Sequence, residues 1–165
     1  MVKTVGFYSS GSIDLIGLKK DILAFFWSVN EFVVKKYPQT DWSLITDRFY
    51  KRYLKLEELD SAFVLMEKIQ EIFATIPTNS VNWPKSMISR DSRLNLKGKF
   101  LAEAFNKFFE SFKMRSERAL LHKKIFNTYN DPLRIMVADL LEYRKAADRP
   151  LSDYDKREGE PFWLR

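Results

Sequence analysis

Val2-Lys3-Thr4-Val5-Gly6-Phe7-Tyr8, followed at once by Ser9-Ser10-Gly11-Ser12, decides between an all-helical chain and a mixed one. The first run is rich in β-branched and aromatic residues, and the second is a cluster of turn formers. Together they predict a short β-strand that ends in a turn. Everything downstream must then pack on a sheet that begins at the N-terminus.

Outward from this strand the dominant period is helical. Leu18, Ile22, Phe25, Phe26, Val29, Phe32 and Val33 recur three and four apart, which places them on one helix face that ends before Pro38. Leu59, Phe63, Met66, Ile69 and Phe73 define a second helix from about Glu57 to Ile76, with Glu57 and Glu58 at the positive end of its dipole. Leu101, Phe105, Phe108 and Phe112 mark a third from about Gly98 to Met114, and Ala119 to Phe126 reads as a shorter fourth. Asp131-Pro132, a capping carboxylate followed by proline, predicts a last helix through Leu133, Met136, Val137, Leu140 and Leu141 to about Ala147.

Two stretches read otherwise. Between Trp42 and Lys55, Tyr50, Arg52 and Leu54 alternate with Phe49, Lys51 and Tyr53, which predicts a strand or hairpin turning at Asp47 and Arg48. Thr78 to Lys97 is polar and without period, a long loop with room for a strand near Val81 to Trp83. The expected architecture is therefore one α+β domain over residues 1–165. A small antiparallel or mixed sheet at the N-terminal side packs with several helices, the C-terminal half is helix-rich, and a polar tail starts at about 148.

Composition narrows the function classes. The chain has 165 residues with no cysteine, one histidine (His122) and five glycines, so a disulfide framework, a thiolate zinc site and a glycine-rich phosphate cradle are not expected. His122 lies in a basic helical segment ahead of Lys123 and Lys124, a position more typical of a surface residue than of a general base. Ser9 to Ser12 lacks the Gly-Lys-Ser/Thr ending of a P-loop. Asp139 and Glu142, three apart on the expected last helix, form a weak divalent-cation pattern. No catalytic residue, cofactor or metal is expected, and the chain reads as a binder and not an enzyme. Met1 to Tyr8 has no signal-peptide core, and the longest apolar stretch, Ile22 to Val34, is broken by Ser28, Asn30 and Glu31. A cytoplasmic protein with no membrane partner is the expectation.

The net charge of +6 is unevenly spread. Residues 57–80 carry five acidic side chains against one basic, whereas residues 81–128 carry eleven basic against four acidic. Cations between Lys85 and Lys124, interleaved with Phe and Trp, could grip phosphates and stack on bases. The core spacing of Phe105, Phe108 and Phe112 instead favours helices whose outer faces are solvated by those cations. In the tail, Asp153, Tyr154, Asp155, Glu158, Glu160, Phe162 and Trp163 set aromatic anchors among carboxylates, the anatomy of a partner-binding surface. The same aromatics could equally fold back and pin the terminus, or pair two copies.

The opening Val2 to Tyr8 with Ser9, Ser10 and Gly11, the stretch Ile45-Thr46-Asp47-Arg48-Phe49-Tyr50, and Trp83-Pro84 resemble immunity proteins of contact-dependent growth inhibition and related polymorphic toxin systems. The resemblance covers about the first half of the chain. It implies a cytoplasmic protein that binds the C-terminal domain of one cognate toxin, often a nuclease, and blocks its active site or substrate access. Nucleic-acid binding through residues 85–124 is the alternative. A basic nuclease would seek acidic groups, which directs attention to Asp153, Asp155, Glu158 and Glu160.

Overall fold

The computed structural model describes residues 4–138, 151–155 and 161–164. Strand β1 (Thr4–Ser9) turns through Ser10 and Gly11 into β2 (Ser12–Leu18). Both turn residues have positive φ, 55° and 71°, the mirror-image turn whose twist matches a two-residue hairpin and which favours glycine at its second position. Helix α1 (Lys19–Val29) follows and runs on through a wider π-type turn, Asn30–Val34. A second such segment, Leu44–Phe49, leads to the two-residue strand β3 (Tyr53–Leu54). Helix α2 (Leu59–Phe73), the short α3 (Leu101–Ala104) and the long α4 (Asn106–Ile125) come next. Strand β4 (Leu133–Ala138), a short helix α5 (Leu151–Asp155) and a 3-10 turn at Phe162–Leu164 follow.

The sheet is antiparallel throughout, in the order β2-β1-β4-β3. The α+β class holds, with one correction to its plan: β4 comes from the C-terminal part of the chain, yet lies beside β1 in the interior of the sheet. The expected helix from Asp131 is a strand at least as far as Ala138. Leu133, Ile135 and Val137 alternate onto the core side while Arg134 and Met136 are buried on the other, so both faces are covered. A run buried on both sides carries no clean alternation, and the Asp-Pro start signal tips the reading towards helix. Residues 139–147 of that expected helix lie outside the described residues.

Of the strand or hairpin expected at 42–55, Tyr53–Leu54 is a strand, but it pairs with β4 and no hairpin turns at Asp47 and Arg48. Asp47 and Arg48 sit within the helical segment, because Trp42, Ile45 and Phe49, three and four apart, all point into the core. The third and fourth expected helices merge, since Phe108, Phe112, Arg115 and Ala119 hold one buried stripe across 114–119. No strand forms near Val81 to Trp83.

One face of the sheet meets the helices through phenylalanine rings. Phe7 of β1 lies 5.1 Å from Phe49 and 6.2 Å from Phe108, centroid to centroid. Phe25 of α1 stacks on Phe108 at 5.0 Å and meets Phe105 edge-on at 5.4 Å. Phe73 of α2 joins at 5.7 Å from Phe105. Across the opposite face runs the row Tyr8, Arg134 and Tyr53, in register on three strands. The Arg134 guanidinium lies 4.9 Å from the centre of the Tyr8 ring.

A buried carboxylate joins sheet, helix and loop. Asp21, in the first turn of α1, is fully buried and accepts three hydrogen bonds: from the Leu18 N–H (2.9 Å), the Ser92 hydroxyl (2.7 Å) and the Arg93 N–H (3.2 Å). The first caps the helix. The other two hold the long 81–100 loop against the end of β2. Gly17 is small for this reason, as a β-carbon there would stand 2.5 Å from the Asp21 carboxylate. We expect Asp21→Ala to cost about 3 kcal/mol, from charged hydrogen bonds lost and buried donors orphaned, as read from urea unfolding. It should also admit protease first at 85–97; an unchanged cleavage pattern would show that Asp21 does not hold the loop.

Asp131, just before β4, receives the Ser10 N–H and stands near Arg134, yet burial dominates and holds its carboxyl above the ordinary carboxylate value. A carboxyl whose pKa is higher folded than unfolded binds protons more tightly when folded. Its ionised form therefore subtracts from stability, by nothing below the unfolded pKa and fully above the folded one. Asp131→Asn keeps an acceptor for Ser10. It should raise the urea midpoint at neutral pH and not in acid below the carboxylate range, and an equal change at both pH values would place the effect elsewhere.

Candidate functional site

Helices α2 and α4 pack along their buried stripes, and where the stripes diverge they leave a hollow of about 290 Å³. Phe63, Met66, Phe109 and Phe112 form its apolar floor. Glu67, Gln70, Asn106, Glu110 and Lys113 form its rim, and Asn106 donates its amide N–H to Glu110 at 2.9 Å. A second hollow of about 430 Å³ shares Gln70 and Asn106 and adds Asn95, Ala102 and Glu103. The two adjoin as one open groove, rimmed by three carboxylates, three amides and one ammonium. A basic segment with an apolar side chain fits such a lining: carboxylates for its cations, amides for its backbone, aromatic floor for its stem.

The other end of α4 has the opposite character. Ala119 is the last fully buried position, and beyond it Leu121, Ile125 and Phe126 are 53%, 59% and 60% exposed. Arg118, Lys123 and Lys124, all exposed, surround them. The helix end is closed by Lys123, whose ammonium donates to the Asn127 carbonyl at 2.6 Å. His122 packs edge-on against Tyr129 at 5.5 Å and Phe126 at 6.3 Å.

The tail residues expected to bind a partner are only partly brought together. Trp163 is 2% exposed; its indole N–H donates to the Tyr50 carbonyl at 2.8 Å, and its ring meets Tyr50 edge-on at 5.9 Å. It pins the terminus to the core and is no free anchor, for a partner or for a second copy. Asp155 accepts the Tyr53 hydroxyl at 2.9 and 3.0 Å, and burial together with this carboxylate raises the Tyr53 pKa. Glu158 and Glu160 lie outside the described residues, as do the side chains of Asp153, Tyr154 and Phe162.

In the basic stretch, Phe105, Phe108, Phe109 and Phe112 are all core residues, so none offers a face to a base. Arg115 is buried as well and donates to the Ser12 carbonyl at 3.3 Å. The remaining cations from Lys85 to Lys124 are exposed. Ser10 gives its N–H to the Asp131 carboxylate and shares a 2.7 Å hydrogen bond with the Tyr129 hydroxyl, which makes the hairpin turn a poor phosphate cradle. Asp139 and Glu142 lie outside the described residues. Among the described residues no three His, Cys, Asp or Glu side chains are grouped to hold a metal, and no helix is long and apolar enough to cross a membrane.

Neither surface stood out in the sequence, although each left a trace. Leu121 and Ile125 lie four apart, but out of phase with the Phe108–Phe112–Ala119 stripe; on a helix wheel they fall on the solvent side. The groove joins residues from two helices far apart in the chain, and only its acidic α2 wall shows as local charge. No protein family, no curated protein and no solved structure matches this chain.

Proposed function

We propose that this chain is a protein inhibitor of the immunity type, which binds the C-terminal domain of a cognate toxin in the cytoplasm and occludes its active site or substrate path. The observation that carries the reading is the groove between α2 and α4, with its apolar floor and carboxylate rim. A nuclease holds its phosphate substrate with Lys and Arg, and a carboxylate-rimmed groove competes for those same cations. Inhibition of this kind needs a rigid scaffold and a complementary patch, and no reacting group.

The chain's own excess of positive charge is no obstacle, because charge acts locally: residues 57–80, which supply one wall of the groove, carry five acidic side chains against one basic. Nucleic-acid binding through the exposed cations of 85–124 is the second reading. Its stacking surface is sparse, since Phe105, Phe108, Phe109 and Phe112 are internal and Phe100, half-buried beside Lys99, is the one phenylalanine of that stretch at the surface.

The test begins with reading the gene neighbourhood of this chain for a secreted protein with a variable C-terminal domain, and with expressing that domain. Co-expression should protect cells from that domain, and the purified pair should form a complex of fixed ratio. Reversing the rim charges with Glu67→Lys and Glu110→Lys should weaken the complex by about tenfold to a hundredfold, chiefly through slower and less salt-sensitive association. The unfolding midpoint should hold. An affinity and salt dependence equal to those of the parent would remove the groove from the interface, and steep salt-dependent binding to generic RNA or DNA without a protein partner would favour the second reading.

A further inference from the structure

The two ends of α4 are complementary to each other. At the C-terminal end Leu121 and Ile125 stand on one exposed helix face, with Arg118 and Lys124 each three residues from Leu121, about one turn either way. Beside the N-terminal half lies a hollow whose floor is apolar and whose opposite walls carry Glu67 and Glu110. One surface is an apolar knob between cations, and the other a hollow with Phe63 and the edges of Met66 and Phe109 at its base and Glu67 and Glu110 on its rim beside the single ammonium of Lys113. Within one molecule they cannot meet, because both ride on the same rigid helix.

We infer that the occupant of this knob is a second copy of the chain: its α2–α4 groove receives Leu121 and Ile125, while Arg118 and Lys124 meet Glu67 and Glu110. The contact is head to tail. Knob against knob would set Arg118 and Lys124 of two copies against each other and leave both grooves empty, so like charge disfavours the two-fold arrangement. A heterologous contact leaves one free knob and one free groove at the ends, and association can continue into short chains or close into a ring. The patch is small, so the association is weak, concentration-dependent and reduced by salt. The inference concerns the chain alone and does not require the toxin reading, although a filled groove would compete with any other ligand there.

Sedimentation velocity in low salt, over a wide range of protein concentration, provides the test. The parent chain should show a rising weight-average mass that falls back on adding salt. Arg118→Glu/Lys124→Glu removes the knob's charge and Glu67→Lys/Glu110→Lys the groove's, and each variant alone should lose association by at least about tenfold. The four changes combined restore opposite charges and should recover it. In a separate pairing, Leu121→Ser/Ile125→Ser lacks a knob but keeps its groove, while Glu67→Lys/Glu110→Lys keeps its knob. For this pair the groove variant's cations meet lysines in its own groove and carboxylates in the knobless partner's, so mixing should yield dimers that grow no further. Parent chain that stays monomeric at every concentration, association that survives in the knobless variant, or a combined variant that stays as weak as its parts each overturns the proposal. So does parent chain that remains monomeric yet sediments with phosphatidylglycerol vesicles in a Leu121-dependent manner, because the knob's occupant is then a lipid surface.

Discussion

The fold depends on one shared object, the cluster of phenylalanine rings into which every major element sends a side chain. Phe7 comes from the sheet, Phe25 from α1, Phe49 from the segment after it, Phe73 from α2, and Phe105, Phe108 and Phe112 from the α3–α4 region; each is less than 2% exposed. Most of the ring pairs are edge-to-face, the arrangement in which the positive ring edge meets the negative face of its neighbour. Loss of one ring therefore costs more than its own area, because several partners lose geometry together. This rigidity also sets the outer surfaces, since the α2–α4 groove is floored by the back of the same cluster.

The opposite side of the sheet is built on different physics. Tyr8, Arg134 and Tyr53 form a row in which a cation lies on an aromatic face, and Tyr53 reaches a carboxylate of α5. Polar groups at such depth are tolerated because they have partners. The C-terminal segment thereby gains fixed points: Asp155 on Tyr53, the Trp163 indole on Tyr50, and the Leu164 carbonyl taking the Lys19 ammonium at 3.1 Å. A stretch that reads as a polar tail is partly structural.

Much of the helical framework was legible, and the reasons for the failures are local. Stripes such as Ile22–Phe25–Phe26–Val29 and Leu59–Met66–Ile69–Phe73 are long enough for their period to survive noise, and both helices form where expected. Strand β2 was hidden by a bulge. The register slips between Val5 and Gly6, leaving Ile16 as the extra residue, so that Ile16, Gly17 and Leu18 are buried in succession and alternation fails within the strand itself. Strand β4 reads as a helix in sequence because both its faces are covered. The candidate surfaces were hardly legible, since exposure of Leu121 and the approach of Glu67 to Asn106 depend on where helices stop and cross. Trp163 illustrates the same limit in reverse: an aromatic among charges near a terminus reads as an anchor for others, and it proved to be an anchor for its own chain.

The position of β4 has a consequence for how the molecule comes into being. Val5 finds its neighbour Val137 only after nearly all the intervening chain exists, whereas the β1–β2 hairpin can close at once. While the ribosome is still making the middle of the protein, one flank of β1 therefore presents bare amide and carbonyl groups, the template on which foreign strands add. The nascent chain is most vulnerable to misassembly in that interval, and completion of its last third acts as the lock that ends it.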